Sequence, residues 1–122
     1  MAFPRQDIDT VRDLARQVAE VAALPVQTEK ASRWRRHNAL RRGRPMVLIF
    51  PEGSWRELQP DSVLACTDPL CRGYEADLRR RLYYWHHLRD DNVIDADPLV
   101  MLPRNYDRFI GLLEQLLSLI HI

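Results

Sequence analysis

The run Arg44-Pro45-Met46-Val47-Leu48-Ile49-Phe50, followed at once by Pro51-Glu52-Gly53-Ser54-Trp55, constrains this 122-residue chain more than any other feature. Five consecutive apolar residues without alternation suit a strand covered on both faces, as in parallel sheets flanked by helices. The polar, Gly-containing loop after it is where an α/β protein places its chemistry. Only Asp91 to Leu102 has a comparable extended character, and Pro98 within it has no amide to give a ladder, so a regular strand there ends near Asp97. The pattern predicts an α/β fold in which Met46–Phe50 and about Val93–Asp97 lie side by side as parallel strands.

Helical periodicity frames these segments. From Asp7 to Ala23 the apolar positions Ile8, Val11, Leu14, Ala15, Val18 and Ala22 recur every three or four residues, which predicts an amphipathic helix. Pro25 opens a second helix to roughly Arg42, with Ala31 and Trp34 as a thin apolar stripe and Gly43 as its stop. A short helical turn is expected near Trp55 to Gln59. The longest helix should run from Pro69 to Leu88, capped by Asp68, with Leu70, Tyr74, Leu78, Leu82 and Trp85 facing the core. Glu75 with Arg79, and Asp77 with Arg81, stand four apart in the favourable acid-before-base order. This helix would join the two strands as a right-handed crossover. From Arg104 onward Phe109, Ile110, Leu113, Leu116, Leu117 and Ile120 form another helical stripe.

Hydrophobic residues at 46% and charged residues at 29% indicate a globular chain, and a net charge of +1 exerts no global pull on nucleic acid or an anionic membrane. No apolar run approaches the roughly 18 to 20 residues of a spanning helix, and no signal-peptide core opens the chain, so no membrane partner and a cytoplasmic location are expected. Cys66 and Cys71 would then be free thiols. A shared zinc site with His86 or His87 fails on geometry, because one helix separates Cys71 from His86 by roughly 22 Å. Lys30 to Arg44 carries seven cations, Lys30, Arg33, Arg35, Arg36, Arg41, Arg42 and Arg44, and no acid. Clustered arginines suit phosphate oxygens, but no recognition helix or stacking platform accompanies them. A solvated helix face is the simpler reading, and nucleic acid is not expected as a partner.

Glu52, Asp95 and Asp97 carry more weight, since parallel α/β folds gather their chemistry at the C-terminal ends of strands and these acids follow or end both candidates. The competing reading has Glu52 solvated and the aspartates capping a turn before Pro98.

Two N-terminal helices, a Pro-started apolar strand entering a Gly loop, a long helix and an Asp-bearing strand together resemble the start of the uroporphyrinogen decarboxylase superfamily. That superfamily has a (β/α)8 TIM barrel and includes corrinoid-dependent methyltransferases. Its decarboxylase loop pattern Arg-Gln-Ala-Gly-Arg-Tyr aligns with Phe50-Pro51-Glu52-Gly53-Ser54-Trp55, and its Ser-Asp-Ile-Leu pattern with Ala96-Asp97-Pro98-Leu99. The resemblance implies that residues 1–103 are the N-terminal portion of such a barrel, with two leading helices, two parallel strands and a long crossover helix, and that 104–122 form a helical tail. It makes Asp97 the catalytic candidate, and Glu52, Gly53, Trp55 and Asp95 the substrate-binding candidates. The loss of both loop arginines points to a divergent or methyltransferase-like branch rather than a true decarboxylase. The chain is then expected to be a truncated piece, inactive alone, that lacks the remainder of its barrel and whose intact parent takes a small-molecule substrate. No metal site or cofactor is expected in this piece, zinc and corrinoid belonging to the parent. Leu117-Ser118-Leu119-Ile120-His121-Ile122 reads as translated adapter sequence rather than native chain. The alternative is a small non-catalytic module that binds a partner or RNA through the Arg-rich helix 30–44.

Overall fold

The amphipathic stripe of the first helix decides the architecture. In a computed structural model, which describes residues 2–97, α1 (Arg5–Ala22) buries Val11, Leu14 and Val18 against α4 (Pro69–Tyr83), whose Tyr74 and Leu82 face it. Phe3, Val11, Cys66, Cys71 and Tyr74 form one half of this core, and Leu14, Val18, Leu82 and Ile94 the other, with Leu78 packed against both. Each fully buried aliphatic side chain contributes roughly 1.5 to 3 kcal/mol, so this seam is the main source of stability. The second helix, α2 (Pro25–Asn38), starts at Pro25 as expected, and α3 (Trp55–Leu58) is a single turn. α4 begins as the sequence indicates, with the Asp68 carboxylate accepting from the Leu70 and Cys71 amides. Its last residues widen into a π-helical turn, Tyr84–Leu88, that stops at Arg89 in the left-handed conformation with φ 47°.

Buried carboxylates join the elements. Asp7, in the first turn of α1, accepts from the amides of Thr67 at 3.0 Å and Asp68 at 2.7 Å. Glu75, fully buried on α4, accepts from the amides of Ala65 and Cys66, each at 2.9 Å, and from Arg79 Nε at 2.8 Å. These bonds replace water for amides that a loop threaded between two helices would otherwise leave unpaired.

The expected α/β architecture is not found. Among the described residues there is no β-strand, hence no parallel pair, no crossover and no portion of a TIM barrel. Met46–Phe50 is extended but not covered on two faces: Val47 is 54% and Phe50 66% exposed. Its neighbours are a turn and a tyrosine. The Val47 amide donates to Asp91 Oδ2 at 2.7 Å, its carbonyl accepts from the Asp91 amide at 2.9 Å, and the Ile49 amide donates to Asp90 Oδ2 at 2.8 Å. The Ile49 carbonyl accepts from the Tyr84 hydroxyl at 2.6 Å. Val93–Asp97 lies elsewhere, with Ile94 in the helical core and its amide donating to Gln27 Oε1 at 2.9 Å. An apolar run establishes that a segment prefers an extended, buried setting, but a ladder also needs a second backbone at the right spacing, and side-chain carboxylates occupy that place here.

Gly43 does not stop α2. The helix ends at Asn38, where Leu40 takes the left-handed conformation with φ 59°, and the amides of Leu40 and Arg41 return to the carbonyls of His37 and Arg36. This is a Schellman-type ending built on leucine instead of glycine. The predicted tail 104–122, the segment Pro98–Leu102 and the boundary at 103 lie outside the described residues.

Candidate nucleic-acid interface

The last turn of α2 presents Arg35, Arg36 and His37 at the C-terminal end of the helix, where its dipole favours positive charge. The chain then doubles back, and Arg36 Nη2 donates to the Arg42 carbonyl at 3.3 Å. The fold-back makes a concave surface. Arg33, Arg36, His37, Arg41, Arg42 and Arg44 line a cavity of about 140 Å³. Arg44 is held by Asp91, which raises its pKa further. Arg33, Arg35, Arg36, Arg41 and Arg42 form no ion pair among the described residues. Unpaired guanidinium groups around a hollow suit an anion carrying several oxygens.

α2 is anchored from its other side. Trp34 Nε1 donates to the Asp91 carbonyl at 2.6 Å, and Lys30 Nζ reaches the Asn92 carbonyl at 3.4 Å while lying 5.6 Å from the Trp85 ring centre. The Asp90–Asn92 turn therefore binds both α2 and the extended strip that follows the basic loop.

The candidates read from the sequence separate into two groups. Glu52, Gly53 and Trp55 line one groove together with Arg80, whose guanidinium lies 5.0 Å from the Trp55 ring centre. Glu52, not Gly53, has the positive φ, 40°, and a Cβ added at Gly53 would meet nothing within 4 Å, so no close backbone approach depends on that glycine. Asp95 and Asp97 line a different groove with Arg81 and Tyr84. Arg81 Nη1 donates to the carbonyls of Asp95 at 2.9 Å and Asp97 at 2.8 Å, and the Asp97 amide turns back onto Asp95 Oδ1 at 3.1 Å. The candidates are thus divided between two grooves, with Trp55 of one in ring contact with Tyr84 of the other at 5.8 Å.

The thiols are quiet. Burial, then the nearby Glu75 and Asp7 carboxylates, push Cys66 up to about 12, and burial followed by Asp7 pushes Cys71 up to about 11. The lowered pKa that a position near a helix N-terminus allows for Cys71 is overridden by its burial. Among the described residues, no group of three or more His, Cys, Asp or Glu is placed to hold a metal, and no helix is long and apolar enough to cross a membrane. Sequence reasoning missed the buried acids Asp7, Asp90 and Asp91 altogether. The Asp90-Asp91 pair after a long helix was readable only as a helix breaker, because Arg44, Val47 and Ile49, which it joins to that helix, lie more than forty residues away.

Comparison with known proteins turns attention to the basic surface. Over 67 residues the chain is 43% identical to the ribosomal RNA small subunit methyltransferase Nep1 of Pyrococcus furiosus, a match covering 53% of this chain and 29% of that protein. It is 40% identical over 69 residues to the protein of the same name in Thermococcus kodakarensis, covering 55% and 30% respectively. For Thermococcus onnurineus the figures are 39% over 67 residues, 53% and 29%. The chain therefore spans under a third of the length of the curated relatives it matches. No family model matches, and no solved structure does.

These relatives overturn the resemblance to the uroporphyrinogen decarboxylase superfamily. The proteins matched in sequence are ribosomal RNA methyltransferases, and the absence of strands among the described residues removes the barrel on which the resemblance stood. They also correct the expectation that nucleic acid is no partner. The relation to methyltransferases stands in the broad sense, through an RNA-directed relative and not a corrinoid-dependent one.

Proposed function

We propose that this chain is an RNA-binding part of a ribosomal-RNA-methyltransferase-like protein, and that the surface formed by Arg33, Arg36, Arg41 and Arg42 contacts the RNA phosphate backbone. The carrying observation is a hollow at which Arg33, Arg36, Arg41 and Arg42 are neutralised by no carboxylate among the described residues, Arg44 beside them being held by Asp91. The names of the relatives support RNA as the polyanion. The matched stretch spans under a third of those relatives, and RNA contact rather than methyl transfer is the role assigned to it.

Fluorescence anisotropy with a small-subunit ribosomal RNA fragment, repeated across a range of salt, tests this. Four phosphate contacts give a slope of about −3 in log affinity against log salt. Replacing Arg33, Arg36, Arg41 and Arg42 together by glutamine should flatten that slope toward zero, with helical circular dichroism unchanged. Arg5 and Arg16, on α1 and already beside Asp9 and Asp13, serve as controls whose replacement leaves the slope alone. A folded quadruple variant with an unchanged slope would exclude this surface.

A further inference from the structure

The arginine surface has two walls, supplied by different parts of the chain. Arg33, Arg36 and His37 stand on α2, whereas Arg41, Arg42 and Arg44 belong to the loop that doubles back from it. The loop is anchored at both ends. Its near end hangs from α2 through the Leu40 and Arg41 amides, which return to the His37 and Arg36 carbonyls. Its far end is held by one residue of a distant turn, Asp91, whose side chain is 8% exposed. The Asp91 carboxylate takes both prongs of Arg44, at 2.6 and 2.9 Å, and the Val47 amide at 2.7 Å, while its own amide donates to the Val47 carbonyl at 2.9 Å. The carbonyl of the same residue accepts from Trp34 Nε1, on α2, at 2.6 Å. Asp91 is therefore a bridge from one wall of the hollow to the other, with all of its polar groups engaged.

We infer that Asp91 is a positioning residue for the polyanion: it holds the loop arginines opposite those of α2, although its own charge has the sign of the ligand. This inference rests on the reading of the surface as one that binds RNA phosphates. Two effects of the carboxylate oppose each other. Its charge repels phosphate and cancels one guanidinium group, so that by charge alone its removal favours a polyanion. Its bonds keep Arg41 and Arg42 facing Arg33 and Arg36, and a loop released from them has to be ordered again at each binding event. The ordering prevails, because a single charge is screened beyond about 8 Å at physiological salt, whereas the released loop has the freedom of several residues to lose. An asparagine cannot take over. Three donors converge here on two oxygens, and an amide would keep one oxygen and turn an N–H group toward a donor.

Anisotropy titrations of the full chain with the small-subunit ribosomal RNA fragment, across salt, test this role. The parent slope of about −3 should fall by about half in Asp91→Asn, because only Arg33 and Arg36 remain in place to displace counterions, and affinity at low salt should fall with it. Trp34→Phe removes the bond to the Asp91 carbonyl without changing any charge, and should move affinity and slope in the same direction. It decides alone if Asp91→Asn does not fold, unchanged binding then counting against the role. Glu75→Gln separates positioning from general loosening. Glu75 ties Ala65 and Cys66 to α4 by the same kind of carboxylate-to-amide bond, and neither of these lines the hollow, so its replacement should leave affinity and slope as they are. Tighter binding or an unchanged slope in folded Asp91→Asn, or an equal loss in Glu75→Gln, would overturn the positioning role while the RNA contact itself stands. A parent chain without a salt slope would remove both.

Discussion

Arg44 and Asp91, 47 residues apart, meet in a two-pronged ion pair, with Nη1 to Oδ2 at 2.9 Å and Nη2 to Oδ1 at 2.6 Å. The same Oδ2 accepts the Val47 amide, so one carboxylate fixes both the end of the basic loop and the start of the apolar strip. Hydrogen bonding from Arg44, and then from Val47, holds the Asp91 carboxyl at about 2.

Acid should remove this joint. A carboxyl whose folded pKa lies below its unfolded value stabilises the fold above the unfolded value, about 4, and the contribution is lost as pH falls toward about 2. Because Arg44 is half-exposed and its side of the pair is screened by water, about 1 to 2 kcal/mol is expected. Asp91→Asn should thus cost about that much at neutral pH in urea unfolding, and the gap to the parent chain should close between about pH 4 and 2. An undiminished gap at the acid end would detach the effect from ionisation.

Glu75 should be less replaceable than an ion-pair partner on a helix surface. Burial pushes its carboxyl up, but the Ala65 and Cys66 amides and Arg79 together outweigh burial and leave it lowered. Glu75→Gln sets an amide donor against one of two buried N–H groups, and a loss of about 2 to 3 kcal/mol is expected by chemical denaturation. Arg79→Gln, which leaves both amide bonds in place, should cost well under half as much.

Leu40 should yield a stabilising variant. It holds φ 59° at the end of α2 and is 94% exposed, so its side chain contributes strain without burial. Leu40→Gly removes the clash that a β-carbon suffers in this conformation and should raise stability by about 1 kcal/mol, read as a higher melting temperature. A lower melting temperature would show that the leucine is covered by something the described residues do not include.

Neither cysteine should react while the chain is folded. With pKa values pushed up to about 12 and about 11, the thiolate is scarce at neutral pH, and both sulfurs are buried. A thiol-specific chromophore should label both only after denaturant is added. Rapid labelling of either in the native chain would mean that the loop at Cys66 or the start of α4 opens readily.

The helices were legible because their determinants are local. The three-and-four spacing of Val11, Leu14 and Val18, the Asp68-Pro69 start of α4, and Glu75 four residues before Arg79 each act within a turn or two, and the structure keeps all of them. Met46–Phe50 was misjudged because its burial depends on what lies beside it, which the run itself does not encode. The basic cluster was visible, but its hollow was not, since that depends on the chain reversing at Leu40, a residue with no preference for the left-handed conformation. Glu52, Gly53 and Trp55 line one groove, and Asp95, which the same reading grouped with them, lines another. Adding Asp97 relied on two strand ends that do not exist among the described residues.

The bond from Val47 to the Asp91 carboxylate also guards the strip. An apolar run with bare backbone along its edge invites pairing with whatever strand comes near, and natural proteins cover such edges or charge them. Here a turn does the covering: Asp90, Asp91 and Tyr84 take up both backbone groups of Val47 and of Ile49, so that edge offers an incoming chain no free amide or carbonyl to bond. Two adjacent acids thus act as gatekeepers against aggregation, besides holding the fold together.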